Sequence, residues 1–124
     1  MAYQNEWHEK GLCRVFTENV SGDDILDANL TLHGDSRFDD ISYVINDFTQ
    51  IVDFDVSGMD IDKVATIDNV ATLSKARLKI AIVATVDSLV DWVHLYCEKM
   101  VDSPYECELF NNIDDAYQWA LMSV

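Results

Sequence analysis

Proline and glycine are scarce in this sequence: Pro104 is its only proline, and four glycines accompany it among 124 residues. That scarcity excludes a flexible linker and any low-complexity stretch, so residues 1–124 read as one domain. Cysteine is sparse too. Cys13, Cys97 and Cys107 are odd in number and scattered. With no C-x-x-C spacing they predict neither a disulfide framework nor a zinc site, but reduced thiols, as in a cytoplasm. Basic residues are few, 8 Lys and Arg against 23 Asp and Glu, for a net charge of −15. So acidic a chain argues against nucleic acid, because phosphate binding needs a basic surface to release counterions. It argues equally against docking on an anionic bilayer. Long apolar runs are also missing. The longest, residues 80–84, falls far short of the ~20 residues of a membrane span, and residues 1–10 lack the apolar stretch of a signal peptide. A cytoplasmic location is the resulting expectation.

What is present suits a globular core: 49% of residues are hydrophobic and 25% charged. Two short strands are expected first, over residues 3–8 and 12–17, with Lys10 and Gly11 in a tight turn between them. Ser21 and Asp24 have the spacing of a capping box. Behind them Ile25, Ala28, Asn29 and Leu32 fall on one face of a helix that Gly34 ends. Residues 41–48 (ISYVINDF) and 78–84 (LKIAIVA) read as buried parallel strands, near-continuous in apolar and β-branched side chains. Between them Ser57 caps a helix with Ile61, Val64, Ala65, Ile67 and Ala71 on one side. Asp87 opens a third helix, with the stripe Leu89, Val93, Tyr96, Cys97 and Met100. Residues 105–110 alternate as an edge strand, and Asn112 caps a last helix that turns Ile113, Ala116, Tyr117, Ala120 and Leu121 inward. The order β-β-α-β-α-β-α-β-α predicts an α/β domain with a mostly parallel sheet of about five strands and four helices.

Within the stretch YVINDFTQIVDFDVSGMDI (43–61), a buried strand, an acidic loop and Asp55-Val56-Ser57-Gly58 at a helix start resemble the signature of STAS domains, the sulphate-transporter and anti-sigma-factor-antagonist modules. ANLTLHGDSRFDDISYVINDF (28–48) and KIAIVAT (79–85) bring the chain closer to the bacterial SpoIIAA-like family, related in fold to STAS and to CRAL-TRIO lipid-exchange domains. The resemblance spans roughly residues 12–121 and implies a superhelix of β-α units. In the antagonists it points to, a Ser or Thr after the Asp is phosphorylated to switch partner binding. Val56 stands at that position here and has no hydroxyl, while Ser57 matches the next residue, the helix cap.

Asp53-Phe54-Asp55-Val56-Ser57-Gly58 imitates half of a calcium loop, but Asp60 and Val64 stand where an apolar residue and a bidentate Glu are required. No metal or cofactor is expected. His33, with Asp35 or Asp39 to orient it, could serve as a general base, although no nucleophile motif accompanies it and Arg37 pairing with a nearby carboxylate explains the loop as well. Asp91, His94 and Glu98 fall together on a solvated helix face. Asp68 is the anomaly. It sits inside the apolar stripe of the second helix, as Asn29 does on the first, and a buried carboxylate must be paired or hydrogen-bonded. If the two helices lie side by side, Asn29 can donate its amide to Asp68. Trp7, Trp92, Trp119, Phe38, Phe54 and Tyr96 line an apolar ligand cavity or fill core and interface, and the sequence leaves both open.

The expected function is a non-enzymatic regulatory or binding module acting through a protein partner or a small apolar ligand. Its interaction surface is placed at Asp53, Asp55, Val56, Ser57, Gly58 and Met59, with Asn29 and Asp68 as a buried polar pair. A lipid carrier is the alternative and an enzyme using the His33 loop the second. No G-x-S-x-G, G-x-G-x-x-G or P-loop occurs. Homo-oligomerisation is left open.

Overall fold

Ten elements follow one another in a computed structural model that describes residues 3–122. They are β1 (Tyr3–Trp7), β2 (Gly11–Ser21), α1 (Gly22–His33), a 3₁₀ turn (Ser36–Asp40), β3 (Tyr43–Asp55), α2 (Gly58–Ala71), β4 (Lys79–Val83), α3 (Asp87–Lys99), β5 (Glu106–Phe110) and α4 (Ile113–Leu121). The strands form one five-stranded sheet in the order β1-β2-β3-β4-β5. Only β1 runs antiparallel to its neighbour; β2 to β5 are parallel. Among the described residues no helix is long and apolar enough to cross a membrane.

Side-chain alternation divides the sheet into two buried faces. Leu12, Phe16, Val44, Phe48, Ile80 and Ile82 meet α1, α2 and α3 in the larger core. Cys13, Tyr43, Ile45, Ala81 and Val83 meet Ala116 and Ala120 of α4 in the smaller. This two-sided covering is why β3 and β4 read as continuous apolar runs. Gly11 is required where it stands, because a Cβ there would run into the Tyr43 ring.

The helix starts follow from their caps. Ser21 and Ser57 each accept from the backbone three residues on, at 3.3 and 3.2 Å, while Asp24 and Asp60 reach back to the cap nitrogens, closing two capping boxes. Asn112 accepts from the Asp115 backbone at 2.8 Å.

The structure corrects three expectations. β2 and β3 run past residues 17 and 48 to Ser21 and Asp55, pairing from Gly11↔Tyr43 to Ser21↔Asp55, so Asp53 and Asp55 lie on a strand, not in a loop. Two register shifts in the β2–β3 pairing, each placing one extra residue on β3 and the second beside Glu18 with φ 61°, let the pairing continue through polar residues. Leu121, expected inside, is 61% exposed at the end of α4.

Candidate functional site

Parallel strands covered on both faces turn every second residue toward each layer of helices, and on the side of α1 to α3 two of the buried ones are polar. Arg14 of β2 and Asn46 of β3 lie under α1 to α3 among Phe16, Val44 and Ile80, with Arg14 only 4% exposed. Arg14 Nε donates to Asn46 Oδ1 at 2.8 Å and Nη2 to Asn29 Oδ1 at 2.7 Å. On its other side Asn29 Nδ2 donates to Asp68 Oδ1 at 3.1 Å and Oδ2 at 3.3 Å. Tyr96 of α3 donates its hydroxyl to Asp68 Oδ2. His33 Nε2, at the end of α1, lies 3.4 Å from Asp68 Oδ1. A single amide thus links a buried cation to a buried carboxylate without the two touching.

Burial dominates the electrostatics. It pushes the Asp68 carboxyl up to about 6, against the lowering by Tyr96 and Arg14. It pulls His33 down to about 4, with Arg14 assisting. As pH falls the acid takes its proton first, which leaves His33 beside a neutral group and removes the attraction that would otherwise favour imidazolium. Burial likewise lowers Arg14 to about 10, and raises Tyr96 well above the usual phenol range. The network surrounds a cavity of about 30 Å³ whose other walls include Phe48, Val64, Ile82 and Trp92.

The β3–α2 junction is of another kind. Asp53, Asp55, Ser57 and Met59 are exposed there and Val56 is half-buried. Val52 and Met59 stand 83% and 71% exposed. Ser57 Oγ and the Asp60 carboxylate are engaged in the capping box, and hydrogen bonds from Ser57 hold Asp60 below the usual carboxylate range. Ser57→Ala is expected to lower stability by ~1 kcal/mol and Ser57→Asp to restore most of it, as measured by urea denaturation. A larger loss, or none, would show that the hydroxyl does something other than cap the helix.

The other loops resolve simply. Asp35 is held by Arg37, at 3.0 Å from Nε and 2.7 Å from Nη2, and its carboxyl falls to about 2 as a result. It therefore does not orient His33, which faces Asp68 instead. Arg37 also lies 3.9 Å over the Trp7 ring. Asp91, His94 and Glu98 are exposed on α3. Among the described residues no three His, Cys, Asp or Glu gather as a metal site. Sequence reasoning missed Arg14, Asn46 and Tyr96 as members of the network. Of the aromatic residues, Trp92 stacks on Tyr96 at 5.9 Å inside the larger core, whereas Trp119 packs against Phe110 on the opposite face. They do not line one cavity.

No family model matches the chain, and no curated protein does. Solved structures do. The anti-sigma factor antagonist SpoIIAA in its unphosphorylated form superposes with a TM-score of 0.62 at 5% identity, over 94% of each chain. An uncharacterized DUF3478-family protein with a SpoIIAA-like fold, from Shewanella loihica PV-4, gives 0.57 at 17% identity, over 96% of this chain and 92% of that one. The chain has the SpoIIAA-like fold: a single α/β unit with a mostly parallel five-stranded sheet and four helices.

Proposed function

We propose that this protein is a non-enzymatic regulatory module that binds a basic protein segment through the β3–α2 junction. The observation that carries the reading is the exposure of Val52 and Met59, 83% and 71%, beside Asp53 and Asp55, which pair with no cation among the described residues. Large apolar side chains set among acids suit a partner with an apolar anchor and a basic rim, since charge complementarity steers and orients such encounters. The net charge of −15 points to the same sign of partner. A fold like that of an anti-sigma factor antagonist supports a role in protein interaction. With Val56 preceding the cap, partner binding is independent of phosphorylation at that position. The cavity beneath α1 to α3, about 30 Å³, is far below the ~300–1,000 Å³ of pockets that bury organic ligands, so a carrier that encloses an apolar ligand in this core is the weaker reading.

A photo-crosslinking residue placed at Met59, in cells that express the protein natively, tests this directly, with Leu95 on α3 as an exposed control. One discrete adduct to a basic protein is expected from position 59 and none from 95. The adduct should fade with added salt and disappear in Asp53→Lys/Asp55→Lys. No adduct at 59, the same adducts at both positions, or an acidic partner would refute the proposal.

A further inference from the structure

Arg14 is a cation at 4% exposure that touches no carboxylate: its Nε and Nη2 go to neutral amide oxygens of Asn46 and Asn29. Desolvating a guanidinium is expensive unless an anion compensates it closely, and Asp68 reaches it only through Asn29. Its third nitrogen, Nη1, is buried and finds no acceptor among the described residues. The same holds for Nε1 of Trp92, a residue 6% exposed. Arg14 and Trp92 line one cavity, of about 30 Å³, whose walls also include Val44, Ile80, Ile82 and the Asp68 carboxylate.

We propose that this cavity is a binding site for formate, the smallest planar monocarboxylate, whose oxygens accept from Arg14 Nη1 and Trp92 Nε1. The guanidinium fork matches carboxylate geometry, and a charge-assisted bond supplies the compensation that neutral amides do not. Size sets the upper limit. At roughly 10–15 Å³ for each water-sized position, the space takes about two to three heavy atoms, too few for a tetrahedral phosphate or sulfate. Apolar walls such as Val44, Ile80 and Ile82 leave the formate C–H edge without need of a partner.

An arriving anion meets Asp68. That carboxylate is faced by Arg14 from β2, by Asn29 and His33 from α1 and by Tyr96 from α3. Tyr105 and Cys107, before and within β5, lie close enough to feel its charge. Burial already pushes Asp68 toward its neutral form. Binding therefore takes up a proton at Asp68, and affinity rises as pH falls from 7 toward 5.5.

Titrating ¹⁵N-labelled protein with sodium formate, against sodium chloride at equal ionic strength, tests the site. The Trp92 indole resonance should shift saturably, more steeply at pH 5.5 than at pH 7, while those of Trp7 and Trp119 stay in place. Acetate should bind more weakly than formate. Followed through the Asn29 side-chain amide resonance, Trp92→Phe, which keeps the apolar ring, should weaken binding by about tenfold or more with the fold intact by circular dichroism. Asp53→Lys/Asp55→Lys should leave binding unchanged, so this site and the junction succeed or fail separately. No saturable shift of Trp92, unchanged affinity in Trp92→Phe, or tighter binding of longer chains would each overturn the proposal.

Discussion

Replacing Asp68 with leucine is expected to destabilise the fold by roughly 3–5 kcal/mol at pH 7, and adding Arg14→Leu should return a good part of that loss. Removing one member of a buried ion pair leaves the other charged and dry, whereas removing both exchanges charge for packing. Arg14 and Asp68 are 4% exposed each and joined through Asn29. Asp68→Leu takes away the carboxylate that offsets Arg14 and also strips acceptors from Tyr96 and Asn29. The double variant removes the cation too, but leaves the Asn29 amide without either partner, so recovery is partial. A coupling energy of about 2 kcal/mol is expected from the double-mutant cycle, by urea denaturation of all four proteins. Simple additivity would mean that Arg14 and Asp68 do not sense each other across Asn29. Viewed as an isolated Asn29–Asp68 pair, the simultaneous change to leucines would be the mild variant. With Arg14 in place it is not, because that change leaves Arg14 with Asn46 alone.

The difference between those two expectations shows what the sequence can carry. Asp68 and Asn29 can be singled out because a helix repeats every 3.6 residues, and a polar residue inside its apolar stripe breaks the pattern. Arg14 breaks nothing visible. On a strand covered on both faces, alternation cannot distinguish an arginine turned into the core from one turned to water. Asn46 is hidden likewise within ISYVINDF, and Tyr96 passes for an ordinary member of its apolar stripe. The sheet and the helices are legible from apolar runs and capping residues such as Ser21 and Ser57, which act locally. The extra lengths of β2 and β3 are not, since residues 49–53 (TQIVD) mix polar and apolar side chains and are held there by pairing with β2 across two register shifts, both non-local. Leu121 illustrates the opposite error. It completes the inward pattern of α4, yet it lies at the final turn, where the sheet no longer covers it.

Acid should move the stability of His33→Phe and Asp68→Asn in opposite directions relative to the wild-type protein. The Asp68 carboxyl rises to about 6 in the fold, above its ordinary 3.8. A raised value means that the folded chain binds the extra proton, so the stabilisation is complete below pH ~4 and is lost as pH climbs through ~6. That difference corresponds to about 3 kcal/mol. His33 falls to about 4 from 6.5, so its neutral ring contributes stability that is present above pH ~6.5 and lost as pH drops toward ~4. Its side chain is 17% exposed at the end of α1, and solvent screening reduces its share to about 1–2 kcal/mol. In the wild-type protein the two effects oppose each other between pH 4 and 6, the range bounded by the His33 and Asp68 values. His33→Phe removes the acid-labile half, so this variant should gain stability relative to wild type on going from pH 7 to 4.5. Asp68→Asn removes the acid-stabilised half and should lose stability over the same interval. Asp35 and Asp60, both held low by hydrogen bonds, titrate below this window and are common to all three proteins. Urea denaturation at four pH values between 4.5 and 7.5 provides the comparison. Parallel profiles for the three proteins would show that the proton resides on neither Asp68 nor His33 in the way the burial of the pair requires.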